Sequence, residues 1–294
     1  MSGIYDVFCK EPAKIIIISS SHTSQAEYQA LTSMASNGRR EFISLEATDI
    51  DRDKLKDADI VVFHRVDSSE FSKDELNLKE SLVAYVRNGG NLYLSMEGVR
   101  LLNNWGVEPT PITVEYQEAV DNGFGRAVGF HAYREHPLFE SLAGGAYTWK
   151  GLEDHMARTL GFSKGALPVA GDSKIIGINW AYIHYHEDRK LIWETSLGKG
   201  KILAVGAYVY YSLPNTNSST LSIFTDNIFD YLAGTRVFKS KPREWIYDSI
   251  PVANDPSLVD KLNIPDEKFI IPESVGPTSV SYTHLRAHET LSDL

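Results

Sequence analysis

Two carboxylates and a group of histidines are the residues of this chain whose types and spacing could do chemistry. Glu97 follows the apolar run Leu92 to Leu94, and Glu194 follows Trp193, so both fall near the ends of expected strands, where α/β proteins open their clefts. Two carboxylates facing each other across a cleft perform general acid/base work, but the separation that decides this is not written in sequence. For Glu97 a structural role competes, capping a helix that starts near Gly98. His184 and His186 stand two apart on an expected strand, and the period of two sets them on one side with Trp180 and Tyr182. Paired imidazoles contribute to zinc sites, yet three or four ligands are needed and no third announces itself, so no metal and no cofactor is expected. The rings of Trp180 and Tyr182 could instead stack on a sugar whose hydroxyls the imidazoles bond. A plainer reading is an edge hairpin with an aromatic, polar face, or one packed on the downstream extension. His22, in a loop after the first strand, and His64, ending the third, are further ligand-binding candidates at the same rim, and each reads equally as a loop or packing histidine. His131 and His155 have no ligand spacing.

The elements that would position these residues alternate. Ile15 to Ile18 is a β-branched run closed by Ser19 to Ser21, as in a buried parallel strand. Thr23 or Ser24 can cap a helix carrying Tyr28, Leu31 and Met34, stopped at Asn37-Gly38. Strands are expected over Phe42 to Leu45 and Ala58 to Phe63. Ser72 with Glu75 spells a capping box before a helix that ends at Gly89-Gly90. Leu92 to Leu94 is the fourth strand. Such alternation predicts right-handed crossovers and a parallel sheet covered on both faces, with any site at the strands' carboxyl ends. Later, Ile175 to His186, Lys190 to Thr195 and Lys201 to Val209 read as strands separated at Glu187-Asp188-Arg189 and at Gly198-Lys199-Gly200, so antiparallel hairpins are added to the sheet. An amphipathic helix over Thr220 to Tyr231 closes the domain. The expectation is one soluble, three-layer, flavodoxin-like α/β domain over residues 14–236, with a mainly parallel sheet, after a lead-in at 1–13.

With 294 residues, 43% hydrophobic and 23% charged, the chain can bury a large core, which excludes the disordered classes. No apolar run reaches the roughly 18 residues of a membrane span, and the start lacks a basic region followed by an apolar one, so the chain as written is expected in the cytoplasm, with secretion left open. The single cysteine, Cys9, allows no internal disulfide, and a formal charge of −10 argues against duplex nucleic acid as partner. Residues 237–279 are Pro-punctuated and read as an extension or linker toward further sequence. VSYTHLRAHETLSDL, residues 280–294, is similar to a translated sequencing adapter and is set aside with His284 and His288.

Gly89-Gly90-Asn91-Leu92, His136-Pro137-Leu138-Phe139 with Leu142, Trp193-Glu194, Gly198-Lys199-Gly200-Lys201-Ile202 and Gly206-Ala207, in this order, resemble the class I glutamine amidotransferase-like superfamily. The likeness is to its non-amidotransferase branches, the trehalose-utilisation family and the trimerisation domain of β-galactosidases, and spans most of residues 14–236. Active amidotransferases carry a cysteine on a tight elbow after the fourth strand. Here the elbow reads Ser95-Met96-Glu97-Gly98, so Met96 stands at the thiol's place, and a thioether cannot form the acyl intermediate. Ser95 has a hydroxyl, but G-x-S-x-G is absent and no base is visible in sequence. The resemblance implies a non-catalytic accessory module of a longer carbohydrate-active protein, binding a carbohydrate, forming a homo-oligomer or packing on a downstream catalytic domain. The alternatives are a stand-alone trehalose-utilisation-like enzyme using Glu97, Glu194 and the histidines, and a purely structural oligomerisation domain. An enzyme predicts a polar pocket where these groups converge, and a scaffold an apolar patch.

Overall fold

A computed structural model describes residues 11–119, 128–133, 135–142, 145–150, 155–163, 165–181 and 184–239, all within the first of the chain's two units, Met1–Lys241. Cys9, Tyr182, the extension from residue 240 onward and the tail 280–294 lie outside the described residues.

The β-branched run becomes β1 (Ala13–Ser19), whose isoleucines alternate between two cores. Each such burial contributes about 2 kcal/mol. Then follow α1 (Gln25–Ala35), β2 (Arg40–Glu46), the short α2 (Arg52–Leu55) and β3 (Ile60–Arg65). Ser24, not Thr23, caps α1 by accepting from the Glu27 amide. The capping box forms as spelled, with Ser72 and Glu75 bonding each other's amides at the start of α3 (Lys73–Asn77). A break at Leu78 separates it from α4 (Lys79–Arg87), which leads into β4 (Asn91–Met96) and α5 (Leu101–Asn104). The pair β5 (Thr113–Ala119) and β8 (His155–Ser163) brackets β6 (Val128–Ala132) and β7 (Gly145–Trp149) in sequence. The chain then runs through β9 (Asp172–Ala181), β10 (His184–Leu197), β11 (Gly200–Val205) and α6 (Ser218–Ala233), which ends at Gly234 in the left-handed region with φ 61°.

The sheet order is β2-β1-β3-β4-β11-β10-β9-β6-β7, with β8 branching from β10 and β5 pairing β8. The first five strands are parallel neighbours, and from β10 outward every pairing is antiparallel. Ile15, Val62, Tyr93 and Leu203 face α1 and α6. Ile16, Phe63, Leu94 and Ile202 face α4, α5 and the apolar side of β8.

Two expectations are corrected. Strands β9 and β10 already pair at Ala181 and His184, ahead of Glu187-Asp188-Arg189, and the sheet absorbs those charged residues as a register shift between His186 and Lys190. His184 and His186 therefore share β10, and Trp180 belongs to β9. Strand β11 also ends early, at Val205. A side chain on Gly206 would place its Cβ 1.8 Å from the Leu160 carbonyl oxygen, so the chain passes too close to β8 there for any other residue.

Candidate functional site

The carboxyl ends of β1, β3 and β4 open into a pocket of about 440 Å³, lined by His22, Val66, Asp67, Ser68, Met96, Tyr116, Met156, Arg158, Tyr208 and Tyr210. Strand β4 delivers Met96 to it through a tight turn. Met96 has φ 50° and ψ −126°, one of two non-glycine residues at positive φ among those described, and such a conformation costs of order 1–3 kcal/mol. A Cβ on Gly98 would lie 2.8 Å from the Phe63 carbonyl oxygen, so the turn closes against β3 only with glycine there.

Glu97, fully buried, opens the 3-10 turn Glu97–Arg100 but does not cap it with its side chain. Its carboxylate meets Arg100 at 3.2 Å and Arg158 at 3.6 Å. Arg158 in turn donates to the Val66 carbonyl and lines the pocket, so Glu97 acts behind the wall, through Arg158. His22 is itself a wall residue, with Nδ1 3.1 Å from Ser69 Oγ and Nε2 3.8 Å from Glu75. Glu75 is buried and also accepts from Arg65 at 3.1 Å and from Ser20 at 2.7 Å. Asp67 is ionised at neutral pH, because hydrogen bonds from the Ser69 hydroxyl and amide hold its carboxyl below the usual range. Burial raises the Tyr208 and Tyr210 hydroxyls, so both stay protonated and can donate.

His64 does not reach the pocket. It is fully buried, with Nδ1 2.7 Å from Ser95 Oγ and Nε2 2.9 Å from Glu27 Oε1. A carboxylate only accepts, so Nε2 carries the proton toward Glu27, and in the neutral ring Nδ1 accepts from Ser95. Burial acts to raise the Glu27 pKa. The hydrogen bond from His64, with those from Ser212 and the Tyr211 amide, outweighs it and holds the carboxyl low.

The remaining candidates lie elsewhere. Glu194, in register with Leu203 and through it with Tyr93, accepts from the Tyr231 hydroxyl at 2.8 Å and pairs with Lys201 at 3.4 Å, so it does not face Glu97. The Trp180 ring stacks on Tyr147 at 4.2 Å and meets His131 edge-on. Opposite Trp180 stands Tyr185, while Asn179 and Ala181 stand opposite His186 and His184. The side chains of 181–188 lie outside the described residues. Among the described residues no cluster of three His, Cys, Asp or Glu could hold a metal ion, and no helix is long and apolar enough to cross a membrane.

No protein-family model and no curated protein sequence matches the chain. Solved structures do. A putative ThuA-like protein from Parabacteroides merdae superposes with a TM-score of 0.52 at 11% identity, over 80% of this chain and 95% of that one. The fold is that of this ThuA-like protein. Looser likenesses include a β-galactosidase from Bacillus circulans sp. alkalophilus (TM-score 0.46, 12% identity, 76% of this chain) and a cytoplasmic protein of Salmonella typhimurium (0.47, 14%, 74% of this chain and 99% of that one). The chain spans only 31% of the β-galactosidase's length.

Arg158, Asp67, Tyr208, Tyr210, Tyr116 and Met156 are the wall residues that sequence reasoning missed. One signal was present. Tyr208, Tyr210 and Tyr211 crowd just beyond Gly206, where a buried strand would stop, but a β-rich aromatic run reads as strand until the close approach at Gly206 is known.

Proposed function

We propose that this chain is a non-catalytic, ligand-binding module of a carbohydrate-active protein, and that its ligand is small, neutral and rich in hydroxyls. The observation that carries the reading is Met96, whose thioether lines the pocket from the strained elbow, where an amidotransferase would need a thiol. The walls support the ligand class. Arg158 and Asp67 bring opposite charges to the wall, and Arg158 is itself paired with the buried Glu97, so the site offers both donors and acceptors. Tyrosine faces beside such groups suit a sugar ring, and about 440 Å³ lies within the range of roughly 300–1,000 Å³ usual for small-molecule sites.

Calorimetric titration with neutral mono- and disaccharides tests this. Wild-type protein should bind at least one of them, and Arg158→Ala should weaken that binding about tenfold or more, since it removes a wall donor and leaves the buried Glu97 with Arg100 alone. No sugar binding at all, or turnover of a bound sugar, would remove the proposal; turnover would favour a stand-alone enzyme of the trehalose-utilisation type.

A further inference from the structure

Behind the pocket runs a chain of three buried polar side chains. Ser95, His64 and Glu27 stand in line, and Glu27 Oε1 and Oε2 accept the amides of Tyr211 and Ser212, both at 2.7 Å. Serine, imidazole and carboxylate in this order have the wiring of a nucleophilic triad. Ser95 does not line the pocket, however, and is fully buried, so no substrate carbonyl can reach its hydroxyl. What the chain joins is more telling. Ser95 immediately precedes Met96 and Tyr211 immediately follows Tyr210, and Met96, Tyr208 and Tyr210 are walls of the pocket.

Burying a carboxylate costs several kcal/mol unless each of its donors is in place, and well-packed apolar residues often serve stability as well. Retaining an ionised Glu27 with three donors, two of them backbone amides of one segment, therefore points to a demand for exact placement of that segment. We propose that Glu27 is a positioning residue for the pocket: its carboxylate, oriented by His64, ties residues 208–212 to the ends of β3 and β4 and so fixes the distance between Met96 and the tyrosine wall. The inference rests on the binding pocket proposed above.

Methyl-¹³C methionine NMR tests it, because Met96 and Met156 both line the pocket and report occupancy without any assay of activity. Wild-type protein, Glu27→Gln, Glu27→Asp and Leu82→Ala are each titrated with glucose, galactose and trehalose. Leu82, on the opposite core, controls for general destabilisation. The expected result is a shifted Met96 methyl in both Glu27 variants and affinity reduced about tenfold, with Leu82→Ala less stable but binding as wild type. If Glu27→Gln does not fold, Glu27→Asp, which keeps the charge but falls short of its partners, carries the test. Wild-type affinity in the Glu27 variants, or equal weakening by Leu82→Ala, would overturn this inference alone. Silence of both methyls in the wild-type titrations would overturn the pocket, and this inference with it.

Discussion

A carboxylate can occupy the interior only when donors are assembled around it, and Glu27 and Glu97 meet that condition differently. Glu27 takes an imidazole and two amides, whereas Glu97 takes two arginines and leaves Oε1 without a hydrogen bond among the described residues. The folded pKa of Glu27 lies below its ordinary value. Its contribution to stability is then fully present above the unfolded value, about 4.3, and is lost as pH falls through the lower folded value. Thermal midpoints measured from pH 7 downward should show wild type and Glu27→Gln converging only below about pH 4. Glu194 has a different fate. Because it serves Tyr231 and Lys201, Glu194→Gln should change stability by about 1 kcal/mol or less and leave sugar affinity within about twofold by calorimetry.

Among the elements, α3 shows how a local signal can be read in advance. Ser72-x-x-Glu75 is contiguous, and Ser72→Ala should cost about 1 kcal/mol in chemical denaturation, since it frees the Glu75 amide from its cap. The isoleucine run of β1 and the amphipathic run of α6 were legible for the same reason: each is a periodicity within a few residues. The relay was not. Ser95 lies 31 residues from His64, and His64 lies 37 from Glu27, and nothing in the spacing of a serine, a histidine and a glutamate says that two crossovers will stack them. Strand β8 escaped as well, because Arg158 and Thr159 interrupt its apolar alternation, yet Arg158 is the side chain that couples Glu97 to the pocket. The β9–β10 turn was misplaced because three charged residues look like a turn until a bulge is found to hold them.

At the scale of the whole molecule, two glycine motifs far apart in sequence prove to be one contact. Gly89-Gly90 and Gly198-Lys199-Gly200 meet at the start of β4 and β11, where Lys199 donates its amide to the Arg87 carbonyl at 3.1 Å. A Cβ on Gly200 would lie 2.1 Å from the Gly90 oxygen and 2.4 Å from the Val86 oxygen. Gly200→Ala should therefore cost at least about 2 kcal/mol, read as a lower urea midpoint, while the pocket at the other end of the strands keeps its ligand in whatever fraction stays folded.

The same joint has a consequence for how the chain is made. Strand β4 pairs with β3 on one side and waits on the other for β11, which begins at Gly200. At about 5–20 residues per second, a ribosome needs on the order of 5–20 seconds to supply the roughly one hundred residues between them. Throughout that interval the nascent β2-β1-β3-β4 sheet holds out an apolar strand with one row of amides and carbonyls unmet, a template for any passing strand. It is during synthesis, rather than in the finished fold, that this chain is most exposed to the wrong partner.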